Sequence, residues 1–248
     1  MASTTAPRVV WSAAEGVAME IRILDDGAAV ARAGAAFVIA AAERAIAARG
    51  RFLLAVSGGK TPWVMMAELA RAKVDWTRWH LFQVDERIAP AGDPDRNMSH
   101  LQQSLLAHVA LPAANLHAMP VERPDPTAAA GDYAEEMLRV AGGPIVLDLI
   151  HLGLGPDGHT ASLVPEDAVL GVRDRDVAIT ASAYQGRHRM TLTYPVLDRA
   201  REILWLVDGA AKADMLPRVR KGDTGIPAGR VRNSNAVAIV DRDAATKL

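Results

Sequence analysis

Asp157 and His159 stand two residues apart in Leu152-Gly153-Leu154-Gly155-Pro156-Asp157-Gly158-His159-Thr160-Ala161-Ser162-Leu163, a run with glycines at 153, 155 and 158. Histidine changes charge near neutral pH, so an imidazole oriented by a carboxylate can take a proton from water. A loop that turns sharply at its glycines, Gly155 among them, leaves both side chains where a ligand can reach them. The pair reads as a general base, His159, with its orienting acid, Asp157; a structural histidine is the alternative. The same run satisfies Gly-x-Gly-x-x-Gly at 153, 155 and 158. That fingerprint belongs in a first strand-helix unit leading into an apolar helix, and Pro156, Asp157 and His159 argue against dinucleotide binding here.

A second segment, Ser57-Gly58-Gly59-Lys60-Thr61-Pro62, follows a short apolar run. Glycines 58 and 59 let backbone N–H groups close on an anion, and a helix beginning at Thr61-Pro62 adds partial positive charge, so Ser57, Gly58, Gly59 and Thr61 form a candidate phosphate or carboxylate cradle. A ligand-free tight turn is the alternative. The nucleotide-binding P-loop is excluded, because its first glycine would fall at Leu54 inside the strand. The third segment is Val84-Asp85-Glu86-Arg87, followed by Asp95-Arg96-Asn97. Alternate strand side chains face opposite ways, so three consecutive ionisable residues cannot share one solvated face, and some must be paired or serve a ligand. Arg87 offers a planar fork suited to phosphate, with Asp85 to orient it or accept from a sugar hydroxyl. Lys212, in Asp208-Gly209-Ala210-Ala211-Lys212 beyond a strand end, and Arg189, preceding Met190-Thr191-Leu192-Thr193, add further cations, with solvated side chains the alternative for both.

The elements that must carry these residues alternate. Residues 26–49 are Ala-rich with helical apolar spacing, and Gly50 follows as a C-cap. Phe52 to Val56 predicts a buried strand, and Thr61, as N-cap, with Pro62 at the first helical position predicts a helix to about Arg71. Further strands are expected at Trp79–Val84, Ile145–Leu152, Val177–Ala181, Met190–Thr193, Ile203–Val207 and Ala236–Val240. Helical segments are expected at 97–108, 195–201 and 209–220, an irregular stretch from Ser162, and a turn at Pro120–Pro126. Such alternation predicts a single α/β domain over residues 1–248, with a mostly parallel sheet covered by helices on both faces. Ligands of such Rossmann-like sheets sit at the carboxyl ends of the strands, where all three segments fall.

Composition narrows the partners. The chain has 248 residues, half of them hydrophobic, which is enough for a large core. With 28 Lys and Arg against 29 Asp and Glu, no global field draws it to nucleic acid or a membrane, so any anion must be bound locally. The absence of cysteine excludes disulfides, a thiol nucleophile and Cys-based metal sites, and suits a reducing cytoplasm. Ala33 to Ala42, the longest apolar stretch, is too short for a bilayer, and Met1 to Arg8 has neither the basic nor the apolar region of a secretion signal. The seven histidines show no i, i+4 pair, so no metal is expected.

Taken together, in order and spacing, these segments resemble the 6-phosphogluconolactonase family within the glucosamine-6-phosphate deaminase-like α/β folds. Gly155 to Leu163 is the most diagnostic stretch, supported by Thr191-Leu192-Thr193, Gly209 to Lys212 and Ile226-Pro227-Ala228. Lys60, Arg96 and Val164-Pro165-Glu166 depart from the family pattern. The resemblance implies hydrolysis of 6-phospho-D-glucono-1,5-lactone, the second step of the oxidative pentose phosphate pathway, in the cytoplasm, with no cofactor. Arg87 and Lys212 would hold the phosphate and His159 would activate water, with Asn97 and Arg189 among the binding residues; self-association into a homo-oligomer is left open. The related amino-sugar phosphate deaminases resemble the chain less well. They look for a tyrosine where Arg87 stands and a glutamate where Val164 stands.

Overall fold

The computed structural model describes residues 8–11, as backbone, and 19–248. The reading of Met1 to Arg8 as free of a secretion signal therefore lies outside the described residues, apart from the Arg8 backbone. Strands β1 (Arg8–Trp11) and β2 (Glu20–Leu24) pair antiparallel and precede helix α1 (Gly27–Arg49). Asp26 opens α1 by accepting from the Ala29 N–H at 2.7 Å, and Gly50 closes it with a left-handed φ of 75°. Strand β3 (Phe52–Val56) is buried at every residue, and helix α2 (Lys60–Leu69) follows it. That helix begins two residues earlier than expected. Gly59, not Thr61, is its N-cap, with a φ of 141° that favours glycine, so Pro62 is the third helical residue.

Strand β4 (Trp79–Gln83) stops short of Val84 for a structural reason: the Val84 N–H bonds the Val56 carbonyl of one sheet, while its own carbonyl accepts from Leu192 in another. The chain changes sheets there, and β5 (Asp85–Arg87) belongs to the second one. Asp85-Glu86-Arg87 is thus a separate strand rather than the end of the Trp79 strand. Helix α3 (Asn97–Ser104) ends before a 3₁₀ turn at 106–108, and strand β6 (Leu116–His117) follows. Helix α4 (Pro126–Ala141) went unread in the sequence; its signals were Asp125, which accepts from Thr127 and Ala128, and Pro126 at the first position.

Strand β7 (Leu149–Gly153) is shorter than the expected Ile145–Leu152, because the Asp148 carboxylate, not a ladder carbonyl, takes the Leu53 N–H at 2.8 Å. The remaining elements are β8 (Val177–Ile179), β9 (Arg189–Leu192), α5 (Tyr194–Arg199), β10 (Glu202–Val207), a 3₁₀ turn at 210–212, α6 (Leu216–Arg220) and β11 (Ala236–Asp241). The 210–212 turn and α6 stand where a single helical segment was expected over 209–220, with a break between them.

The large sheet runs β1-β2-β11-β10-β7-β3-β4-β6, parallel except for β1, and a small antiparallel sheet runs β5-β9-β8. Helices cover both faces. Val38 and Ala42 of α1, with Met65 of α2, share one core with Leu54 and Leu206, while Tyr133 of α4 lies in the opposite core with Trp205 and Ile150. This is the expected α/β architecture with a mostly parallel sheet. Among the described residues no helix is long and apolar enough to cross a membrane; Ala33 to Ala42 lies within α1.

Candidate active site

The carboxyl ends of β3, β7 and β10 open onto a cavity of about 390 Å³, whose opposite wall is the small sheet. It brings together Ser57, Gly58, Gly59, Thr61, Asp85, Arg87, Asn97, Gly155, His159, Arg189 and Lys212. Every binding residue expected from the sequence therefore meets at one place. Asp157 does not line the cavity but stands behind His159. Lys60 lines it too, whereas Arg96 lines a different cavity of about 600 Å³ beside α3.

His159 is held from behind. His159 Nδ1 lies 2.6 Å from Asp157 Oδ1, and the His159 N–H reaches the same oxygen at 3.2 Å. A carboxylate can only accept, so Nδ1 carries the proton and Nε2 keeps its lone pair on the remaining side of the ring. Burial pushes the Asp157 carboxyl up, but the charge and hydrogen bonds of His159, with the Tyr184 hydroxyl, outweigh it and hold the group below the usual carboxylate range. Gly155 makes the close approach possible: a Cβ there would fall 2.0 Å from His159 Nδ1. The run after β7 leads into turns and a Thr160–Leu163 bridge, not a helix, so Gly153, Gly155 and Gly158 present no helix N-terminus to a pyrophosphate.

In the second segment the Ser57 N–H donates to buried His151 Nδ1 at 3.3 Å, while the Ser57 hydroxyl is buried without a partner among the described residues. Gly59 and the first turn of α2 leave backbone N–H groups that no intrahelical carbonyl can meet. By contrast, Gly155 and Gly158 spend theirs within their own loop. Of the two Gly-rich loops, the one before α2 is thus the one that leaves N–H groups open to a ligand.

The third segment divides its charges. Glu86 is fully buried and accepts from Gln83, from the Arg87 N–H at 2.7 Å, and from the N–H groups of Asn97 and Met98 at 2.8 Å each. It thereby caps α3 in place of Arg96, whose guanidinium pairs with Glu86 and Glu122. Arg87 faces the cavity and donates to Asn97 Oδ1, while Asn97 Nδ2 returns to the Asp85 carbonyl at 2.9 Å. Asn97 therefore orients Arg87 directly, and Asp85 acts on it only through Asn97. The Asp85 carboxylate accepts from Ser162 Oγ at 2.6 Å and from Asn97 Nδ2 at 3.4 Å.

Arg189 sits directly opposite Arg87 in the β5–β9 register, 4% exposed, with its Nε unpartnered among the described residues. Burial lowers its affinity for the proton, as it does for Lys212, on which Asp208 and Asp157 act in the other direction. Two cations facing one another in a half-closed cavity favour an anion between them. Sequence reasoning missed Tyr184, Gln185 and Asp208, which enter the site only through the turn before β9 and the loop after β10. An aromatic residue two before a glycine carries no such signal by itself.

The cradle gives a direct test. A Cβ on Gly58 would lie 2.0 Å from Asn97 Oδ1, the atom that orients Arg87. Gly58→Ala is expected to lower kcat/KM by roughly 100-fold, the scale of an ångström-sized misplacement, with little change in thermal midpoint. Steady-state kinetics beside a melting curve checks it. His151 gives another. Burial pushes its imidazole down to about 3, against an unfolded value near 6.5, so the unfolded chain binds a proton that the folded one refuses. Stability is expected to fall by about 1.4 kcal/mol per pH unit from near pH 6.5 downward, and His151→Gln should flatten that slope in denaturant titrations.

Residues 25–240 match the model of the family described as glucosamine-6-phosphate isomerases/6-phosphogluconolactonase, and the chain belongs to that family. Within it, the chain is similar to several 6-phosphogluconolactonases. It is 41% identical over 180 residues to the 6-phosphogluconolactonase of Synechocystis, covering 71% of this chain and 74% of that one. It is 34% identical over 242 residues to that of Mycobacterium tuberculosis, covering 92% and 98%. The structure of 6-phosphogluconolactonase from Thermotoga maritima superposes with a TM-score of 0.80 at 30% identity, over 90% of this chain and 99% of that one. A monomeric glucosamine-6-phosphate deaminase shares the fold, with a TM-score of 0.79 at 16% identity over 92% and 99%.

Proposed function

We infer that this chain is a lactone hydrolase that opens 6-phospho-D-glucono-1,5-lactone to 6-phosphogluconate, as one domain acting in the cytoplasm. The observation that carries this reading is the joining of an oriented imidazole to a cation-rich, cradle-lined cavity: one part suits water activation, the other a sugar phosphate. Phosphate held by Arg87 and Lys212, with Arg189 beside them, fixes the lactone carbonyl against a water on His159 Nε2. His159 takes the proton as the water oxygen bonds the carbonyl carbon. The imidazolium, steadied by Asp157, then returns that proton to the ring oxygen as the ester C–O bond breaks. Charge on the carbonyl oxygen during these steps is met by the free N–H groups before α2, which cost no reorganisation when it develops.

Deamination of an amino-sugar phosphate is the rival within the family. Val164, buried at 4%, stands where the resemblance to deaminases would ask for a glutamate, and Arg87 where it would ask for a tyrosine. The deciding experiment follows acid release from freshly made 6-phosphogluconolactone, above its spontaneous hydrolysis, beside ammonia release from glucosamine 6-phosphate. Lactone turnover with no ammonia is expected; the reverse would overturn the reading. Exhaustive dialysis against EDTA is expected to leave lactone turnover unchanged, since the mechanism uses only side chains and backbone. Loss restored by stoichiometric zinc would show otherwise.

A further inference from the structure

We propose that Tyr184 is a positioning residue for the base, fixing the His159 imidazole through the second oxygen of Asp157; this rests on the lactonase reading above. The Asp157 carboxylate has one oxygen on each side of the contact. Oδ1 takes the His159 Nδ1 proton and backbone N–H, and Oδ2 accepts from the Tyr184 hydroxyl at 2.9 Å. The hydroxyl also lies 3.2 Å from Nδ1, and the tyrosine ring meets the imidazole edge-on at 5.2 Å between centroids. A carboxylate held at one oxygen can swing about that contact. Held at both, it fixes the plane in which Nδ1 must lie, and so the direction in which Nε2 points.

The ring that does this is itself held. Tyr184 and Arg187 close a two-residue turn by backbone hydrogen bonds at 2.9 and 3.4 Å, with Gln185 and Gly186 both left-handed, at φ of 53° and 81°. A left-handed glutamine is strained and persists only when its surroundings fix it. Here Gln185 Oε1 accepts from Arg189 Nη2 at 3.0 Å, Arg189 lies over the Tyr184 ring at 5.0 Å, and Arg187 anchors the turn to Asp93 at 2.9 Å. Tyr184 therefore joins the base to a guanidinium of the substrate cavity, so the two halves of the site are set by one side chain.

Tyr184→Phe keeps the ring, its stacking on Arg189 and the turn, and removes only the hydroxyl. It is expected to lower kcat by roughly 10-fold, the scale of one hydrogen bond to a charged group, with KM and thermal midpoint unchanged. In an Asp157→Asn background, where the bond it makes is already altered, the same change should cost less than about twofold. Parent-like kcat in Y184F, or a loss that multiplies fully onto that of D157N, would overturn the proposal. A readout independent of turnover accompanies it. The low-field Nδ1 proton of His159 is expected in the NMR spectrum of the parent and lost to exchange in Y184F, and an unchanged signal would also count against Tyr184. A parent without lactone turnover, but with that spectral change, would sink the lactonase reading and leave Tyr184 in its positioning role.

Discussion

Replacing His159 by alanine is expected to lower kcat for 6-phosphogluconolactone by roughly 100- to 10,000-fold, the span usually lost with a general base. The fold should survive. His159 is partly exposed at the mouth of a loop, and its hydrogen bonds run to Asp157 and its own neighbours rather than into either core. Losing the imidazole leaves the Asp157 carboxylate with the Tyr184 hydroxyl and solvent, which costs little. The expected signature is a collapse of kcat with KM nearly constant and a melting temperature close to the parent's. Spontaneous opening of the lactone sets the floor of the assay and must be subtracted at each pH. A variant within about threefold of the parent would remove His159 from this role, because no general base is worth so little.

Arg87→Ala is the second large effect. A guanidinium grips a phosphate through two parallel hydrogen bonds, while a lactone carbonyl asks nothing of it, so the loss should depend on the phosphate. Truncation also frees Asn97 Oδ1 but leaves Glu86 and its bonds to α3 in place, so the wall should stand. For 6-phosphogluconolactone, kcat/KM is expected to fall by roughly 100-fold, in line with about 3 kcal/mol for a charge-assisted contact. For unphosphorylated gluconolactone the fall should be slight. Equal losses on both substrates would assign Arg87 to the scaffold instead.

Much of this site was legible because its chemistry lies in contiguous segments. Gly155 to His159 places base, acid and the glycine that admits them within one turn, and Ser57 to Thr61 does the same for the cradle. The helix at 26–49 was legible from its apolar spacing and its C-cap Gly50, while Asp26, read as helical, proved to be the N-cap. What stayed hidden depends on contacts distant in sequence. Nothing local in Asp85-Glu86-Arg87 tells which of its charges is buried, since Glu86 is settled by N–H groups of α3. Tyr184 reaches Asp157 only because the small sheet folds over the ends of the large one. Strand Ile145–Leu152 was overextended because the apolar run Ile145-Val146-Leu147 precedes the point where the Asp148 side chain takes the place of a ladder carbonyl. Helix α4 was missed where a proline-rich turn ran directly into its cap.

The place of β11 has a consequence for synthesis. It comes after every other described strand in the chain, yet it lies between β10 and β2, pairing Val237 with Glu20. As the chain leaves the ribosome, β2 and its partner β1 have no seat in the parallel sheet until residues 236–241 emerge, so α1 must wait on a half-built surface. Pairings between distant segments are slow to form, and exposed strand edges invite contact with other chains meanwhile. A nascent chain halted before Ala236 would thus lack three neighbouring strands of the finished sheet rather than one, and this interval is when a holding chaperone has most to cover.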